Sequence, residues 1–497
     1  AKGGDGHVHT AGDYGYTVSK SLDASESVYA FPTGGGGAGT IHIQNNGKMG
    51  DLILDNDGVT SDHPTALYNS FNYNISLDLL KLSGNTSVSY RADGIVPGSS
   101  VTLRVGKYDD EEGSRLRLED QTIFMINAGE LGGSSTKVST TQSLRSPSEF
   151  LRTMETVFYV GGKASLKSRM DVMFGSMLVV PPILTLTRAN IQIYGTLLAS
   201  QIFLHESTLN LHTSGSTGEQ KSNFFTLNSL SVEDESQVIL HNASVLNTDL
   251  CVVGGVKGSG PGYIRVSDGR TKISTGTFEI HHTGELVGVG YSEGKGPGVG
   301  ENQWDGGSHG GFGGDANAPL KVALGEKAYN ALEEPTFSGS GGFMNGNMCN
   351  PFKHPDTSPL YDLPDCSSGG AAFHLLATKT LLLDGNIVTD GFHAPFSGGG
   401  GGAGGSVWLD APVLKGTGSI TSIGGNGYKK DAGGGGGGRI SVNCVNMSFT
   451  GSFAAYGGIA SDGYPGSAGS IYNNCGKFKG YLMSSVPTDL GGILVMK

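Results

Sequence analysis

Ala372-Phe373-His374-Leu375, Ser406-Val407-Trp408-Leu409, Arg439-Ile440-Ser441-Val442 and Ser470-Ile471-Tyr472-Asn473 align without gaps, at spacings of 34, 33 and 31 residues. A second landmark moves with them: Asp384-Gly385-Asn386-Ile387, Thr417-Gly418-Ser419-Ile420 and Thr450-Gly451-Ser452-Phe453, at 33 and 33. Two landmarks sharing one period define a repeat. Within each unit the apolar residues alternate, which is the period of a strand. No segment is long or periodic enough for a helix, so equivalent strands cannot be joined by βαβ crossovers and must stack coil upon coil. The expected fold is all-β, a right-handed parallel β-helix (β-solenoid) with Gly-rich loops.

Stacking assigns the columns. Phe373, Val407, Ile440 and Ile471 share one inward position, and Leu375, Leu409 and Val442 the next. Leu381, Leu414 and Met447 follow beyond the first corner, and Ile387, Ile420 and Phe453 complete the interior. The intervening His374, Trp408, Ser441 and Tyr472 face outward. Earlier coils read as shorter: Ile191 and Ile193 are followed 18 residues later by Leu209 and Leu211, and 21 further on by Leu230 and Val232. Gly36 to Ile43 resembles Gly401 to Trp408, which extends one architecture toward the start of the chain. The expected organisation is a Gly-rich β region over 1–160, a β-helix over 161–480 with its 33-residue coils at 370–475, and a C-terminal strand or tail over 481–497. Within 51–165, Ile75 to Leu82, Val88 to Tyr90 and Val101 to Val105 read as strands. Ser146 to Thr156 reads as a short helix capped by Ser146, Pro147 and Glu149.

Composition agrees with a loop-punctuated solenoid. Glycine is 84 of 497 residues, against a usual share of about 7%, and its runs are separated by alternating apolar segments. The formal net charge is -12 with no long basic run, so nucleic acid is not an expected partner. The longest apolar stretch, Met170 to Leu186, is broken by Asp171 and Pro181-Pro182 and reads as strands and a turn, so no membrane span is expected. The chain opens on Ala1 with no signal peptide in view, as in a processed secreted protein or a trimmed chain.

Five cysteines are present. Cys444 and Cys475 each lie four residues after an aligned isoleucine and so share a column, where ladder spacing of about 4.8 Å suits a disulfide. Ala377 and Ala411 fill the same column, as small residues do at a tight corner. Cys349 and Cys366 flank a Pro-containing segment and are expected to staple it. Cys251 is left as a buried thiol or an intermolecular bridge. Four sequons, at Asn74, Asn85, Asn242 and Asn446, join the cysteine pairs in pointing to an oxidising, extracellular compartment and N-linked glycans.

Catalytic motifs are incomplete. Asn247-Thr248-Asp249, Ser308-His309-Gly310 and Tyr263-Ile264-Arg265 resemble pieces of the polygalacturonase signature, but the adjacent Asp pair that must follow is missing, and the one Asp-Asp, Asp109-Asp110, lies far upstream. Gly310 to Asp315 matches one calcium nonapeptide, yet such sites draw ligands from successive turns, so a plain Gly-rich loop is the simpler reading. His7 and His9 lack a third metal ligand. Asp109-Asp110-Glu111-Glu112 reads as a solvated turn, with weak Ca²⁺ binding as the minor reading. No enzyme activity and no cofactor are expected.

The cadence of Gly339 to Gly342 (Gly-Ser-Gly-Gly), Leu383-Asp384-Gly385-Asn386-Ile387, Gly404 to Leu409 (Gly-Gly-Ser-Val-Trp-Leu) and Gly435 to Ile440 (Gly-Gly-Gly-Gly-Arg-Ile) resembles that of secreted Gly-rich parallel β-helix repeat proteins. Among these it resembles the extracellular filament, mastigoneme-like or surface glycoproteins of protists and algae, although the EGF-like Cys clusters common there are absent. The resemblance covers about 285–475 and implies a fold and a location, without catalytic residues. The expected function is an extracellular structural glycoprotein, a subunit of a surface filament or matrix, whose partners are further copies, glycans or other matrix proteins. A carbohydrate-binding adhesin is the alternative, and a pectinase-like enzyme the third. No polar cap is evident after the coil ending near Cys475. The apolar strand containing Ile493, Leu494, Val495 and Met496 is expected either to fold back as a cap or to add to the edge of a neighbouring molecule.

Overall fold

The computed structural model of the chain describes strands and adjoining residues in pieces from 26 to 212 and most of 224–483. In the latter span the gaps are 242–244, 256–259, 267–268, 300–303, 316–327, 344–366, 395–398, 429–431, 461–462 and 476–477. Among the described residues every regular element is a strand. None forms a helix long and apolar enough to cross a membrane. The chain divides into two compact units, residues 1–214 with 225–227, and residues 215–224 with 228–497.

The first unit begins with an antiparallel meander, Glu26–Phe31, Gly39–Asn45 and Asp51–Asp55. The stretch resembling a C-terminal coil is thus the middle strand of a meander, and its similarity to Gly401 to Trp408 is one of local sequence only. From Asp51–Asp55 onward the pairing is parallel. Ile75–Ser83, Val101–Asp110 and Thr122–Ile126 follow in one sheet, with Ser87–Ala92, Arg115–Leu118 and Lys137–Thr140 in another. Ile191 pairs with Leu209 and Ile193 with Leu211, as their spacing required. Leu230 and Val232 do not continue that column, because they belong to a long strand, Phe224–Val232, whereas Thr208–Leu211 is a short one. The expected helix at Ser146 to Thr156 and the pair His7 and His9 lie outside the described residues.

In the second unit each repeat contributes one long and one short strand, and equivalent strands pair in parallel from repeat to repeat, which fits a β-solenoid. The long strands Arg270–Ile280, Ala372–Leu383, Ser406–Gly416, Arg439–Phe449 and Ser470–Cys475 form one ladder. Gly284–Gly288, Asn386–Val388, Ser419–Thr421 and Ser452–Ala454 form the other. Phe373, Val407, Ile440 and Ile471 meet in register and are at most 1% exposed. Leu375, Leu409 and Val442, and Ile387, Ile420 and Phe453, are buried likewise. Met447 departs from its column: Leu381 and Leu414 are buried, but Met447 is half-buried. After Cys475 the chain reverses and lays Phe478–Met483 antiparallel on the last long strand. A strand directly after the last coil thus covers that edge, while Ile493, Leu494, Val495 and Met496 lie outside the described residues.

The Gly-rich excursions, read as loops, are straight segments bonded to one another through the backbone. Gly433 to Gly438 shows the rule. Gly433 and Gly436 donate to Trp304 and Gly307, Gly434 and Gly437 to Tyr464 and Ser467, and Gly435 and Gly438 to Gly425 and Ser422, all at 2.7–3.0 Å. Its carbonyls accept at the same period, Gly433 and Gly436 from Gly401 and Gly404, Gly434 and Gly437 from Gly314 and Gly311, and Gly435 from Gly458. A partner that recurs every third residue is the signature of a chain with three residues per turn, as in polyproline II. Here each such rod is hydrogen-bonded to rods around it instead of to water.

That packing leaves no room for side chains. A Cβ on Gly435 would lie 1.9 Å from the Gly402 oxygen, and one on Gly433 1.9 Å from the Gly314 oxygen. The same crowding requires glycine at the axis of collagen. Segments from three places in the long insertion between Gly288 and Ala372 (304–315, 336–343 and 367–370) bond those of the C-terminal repeats, and 290–299 bonds these three in turn.

The two kinds of core respond differently to substitution. In urea unfolding of the second unit, Ile440→Ala should cost about 2–5 kcal/mol, and Val445→Ala, at a position 69% exposed, no more than about 0.5 kcal/mol. Gly435→Ala, which removes no apolar surface, should be as damaging as Ile440→Ala.

Candidate functional site

Where the glycine layer meets the outer face of the long strands, a cluster of polar side chains is buried. Segment 328–338 crosses this face as a strap, tied down by three side chains from two successive repeats. Ser406 Oγ donates to the Phe337 carbonyl (2.6 Å), Arg439 Nε to Tyr329 (3.0 Å) and Ser441 Oγ to Glu333 (2.6 Å). From the strap, Tyr329 donates its hydroxyl to the Ser338 carbonyl and meets the Ser340 hydroxyl at 2.9 Å. Asn330, at φ 82°, accepts from the amides of Ala331 and Thr336 and donates to Ser406 Oγ.

His309 sits at the centre with no exposed surface. Its Nδ1 is 2.8 Å from the Gly404 carbonyl and its Nε2 3.2 Å from Asn330 Nδ2. A carbonyl can only accept and an amide nitrogen only donate, so Nδ1 carries the proton and Nε2 the lone pair. The ring is neutral. Burial lowers its pKa to about 3, the Arg439 charge adds to the effect, and the Gly404 and Gly405 carbonyls oppose it. Ser406 Oγ lies 3.5 Å from Nε2, but its proton is committed to Phe337 and the lone pair to Asn330. The Ser-His pair is therefore a lock between layer, strap and sheet, with no proton free for nucleophilic chemistry.

A second set of side chains runs along the same face of the long strands. The rings of His374 and Trp408 stack in parallel at 3.7 Å, as adjacent ladder positions place them. His374 Nε2 is 3.1 Å from one Asp410 oxygen, Asn443 Nδ2 donates to the other (2.8 Å), and Asn474 donates to Asn443 (3.3 Å). Burial works to raise the Asp410 carboxyl, but hydrogen bonds from His374 and Asn443 outweigh it and hold the pKa below its ordinary value. At the rod side the same coil-to-coil habit recurs. Asp390 accepts from the Ile423 amide, His393 from Asn426, and Asn426 from Ile459, each 33 residues on.

The sequence-predicted residues fall in several places. Cys444 and Cys475 are joined as a disulfide with Cα atoms 4.5 Å apart. Ala411 pairs with Cys444 in that column, but Ala377 pairs with Thr275 and not with Ala411, because the register shifts after Leu376. Cys251 is free and buried, and burial pushes its thiol pKa far up. Asn446 is exposed on its strand. Asn74, Asn85, Asn242, Cys349 and Cys366 lie outside the described residues, as do Glu111 and Glu112. The polygalacturonase-like fragments do not assemble: His309 is held by Gly404, Asn330 and Tyr329, Asp249 is exposed on a strand, and Arg265 lies over Tyr263. The nonapeptide-like Gly310 to Asp315 is a rod, and its Gly311 and Gly314 amides bond Gly437 and Gly434. Among the described residues no three His, Cys, Asp or Glu come together as a metal cluster. The strap was missed in the sequence, where Tyr329 and Asn330 carry no motif.

The buried ionisable groups set the acid response. His309 titrates near 3 and His241 near 4 in the fold, both lowered by burial from 6.5. Their stabilisation is complete above pH 6.5 and is lost as the pH falls toward those values, since the unfolded chain takes the protons first. Burial raises Asp390 from 3.8 to about 6, against the hydrogen bond from the Ile423 amide. Its contribution has the opposite sign, favourable below pH 3.8 and lost as the pH rises through 6. Asp390→Asn should therefore raise the urea midpoint at pH 7–8 and leave it unchanged at pH 3.5. In the parent chain the midpoint should fall between pH 6.5 and 4, because two histidines outweigh one carboxyl. Searches with the whole sequence match no protein-family model and no curated protein.

Proposed function

We propose that this chain is an extracellular structural glycoprotein, a stiff unit of a surface filament or matrix. One observation carries the reading: backbone and side-chain hydrogen bonds alike are spent on joining each coil to the next. Two strand ladders do so on two sides, and the glycine rods do so where an ordinary solenoid has loops. Polar ladders at a 33-residue offset repeat the pattern at the surface. Such an element resists bending and local opening, which suits a load-bearing unit better than a moving one. The coil is taken as right-handed, the hand that parallel crossovers adopt almost without exception. The disulfide fits an oxidising compartment, and exposed Asn446 in its sequon is accessible to a glycan. Further copies would add at the outer edge of Phe478–Met483, by main-chain pairing.

A carbohydrate-binding role is the second reading, favoured by the His374–Trp408 stack beside Asp410, Asn443 and Asn474. Planar rings flanked by fixed amides and a carboxylate suit a sugar face. Negative-stain microscopy of native material, with glycopeptide mapping, separates the two. Particles joined into linear arrays and a glycan on Asn446 are expected. Globular, monodisperse particles with unmodified Asn446 would remove the structural reading, and glycan-array binding abolished by Trp408→Ala would install the second.

A further inference from the structure

The last rod of the glycine layer, Tyr464 to Gly469, departs from the inner rods in its backbone bonding at one phase of the three. Counting back from the strand starts Arg439 and Ser470, its Pro465 and Ala468 correspond to Gly434 and Gly437. Those two glycines donate to Tyr464 and Ser467, that is, to the following repeat. The other two phases are kept. Tyr464 and Ser467 donate to Asp315 and Phe312, and Gly466 and Gly469 to Gly458 and Ala455. Tyr464 and Ser467 also replace Gly433 and Gly436, at a phase where the inner rod before them already carries Ala403, whereas the phase aimed at a further repeat is glycine in both inner rods, at Gly401, Gly404, Gly434 and Gly437, and only there does the last rod lose backbone bonds.

The change has a donor part and a steric part. Proline has no N–H, so at Pro465 the bond a further rod would accept does not exist. At Gly434 and Gly437 a Cβ would lie 2.1 Å from the Gly458 oxygen and 2.2 Å from the Ala455 oxygen, both in the next repeat. By the same geometry, the side chains of Pro465 and Ala468 project into the space where a further repeat would place its outgoing rod. Pro465 is exposed and Ala468 half-exposed. Inner rods can form only because these positions lack a Cβ, and the outer rod restores one at both. Proteins protect open strand edges with the same residue type.

We propose that Pro465 and Ala468 close the glycine layer against addition of a Gly-rich rod from a second copy of this chain. The layer is finite by its own side chains, and any self-association must use another surface, such as the sheet edge at Phe478–Met483. This inference holds whether or not the chain is extracellular. The test compares the full chain with its Pro465→Gly/Ala468→Gly variant by sedimentation velocity over a range of concentrations. The variant should form larger species at concentrations where the parent keeps its own sedimentation coefficient, whatever that is, and Pro465→Ala should behave as the parent because the Cβ remains. A double variant with unchanged circular dichroism that sediments as the parent overturns the proposal. Hydrogen exchange on the parent chain is an independent check. The Ala468 amide should exchange at least about tenfold faster than those of Gly434 and Gly437, since among the described residues only the latter have acceptors. Equal protection would show that Ala468 already has a partner and would overturn the proposal as well.

Discussion

The second unit depends on close approach between backbones. In a β-sheet, strands stand about 4.8 Å apart and side chains leave the plane on both faces, so any residue is tolerated sterically. In the glycine layer each rod is bonded on several sides, and along Gly433 to Gly438 no direction is left for a side chain. Positions enclosed in this way must be glycine, and the entropic cost of ordering that residue, the highest of any, is offset only by satisfying its donor and acceptor within the layer. Gly433 to Gly438 shows this balance, with each N–H directed at a carbonyl of a neighbouring rod.

This constraint explains features that otherwise look unrelated. The long insertion between Gly288 and Ala372 is retained in the compact unit because its Gly-rich pieces supply neighbours to rods of the C-terminal repeats. The buried His309 stands where the layer ends and side chains resume, and its two nitrogens join a rod carbonyl to the strap. It must be neutral to do so, since a protonated ring would lose the acceptor that Asn330 requires. Arg439 serves the same junction, with Nε on Tyr329 and a second nitrogen on Ser470. The resulting cluster has the residue types of a hydrolase and the hydrogen-bond assignment of a scaffold.

Acid and base also act through burial here. His309 and His241 favour the fold when neutral, and Asp390 favours it when protonated, so their effects oppose each other between pH 4 and 6. Neutral pH therefore suits the histidines and strains the carboxylate. Asp390 persists because Ile423 donates to it from the next repeat, which makes it part of the coil-to-coil stitching.

Period was legible in the sequence, and with it the strands, the inward columns at Val407 and Ile420, and the Cys444–Cys475 pair. These follow from local alternation and a fixed offset, which need no knowledge of the third dimension. The strap at 328–338, the neutral tautomer of His309 and the antiparallel strand Phe478–Met483 were not legible, because each is decided by residues up to 110 positions away or by an edge that exists only once the coils are stacked. The same holds for glycine. Its abundance could be counted, and alone it reads as loop. Only the tertiary structure decides that the runs are bonded rods, since a chain with three residues per turn has no internal hydrogen bonds and becomes ordered only when neighbours surround it.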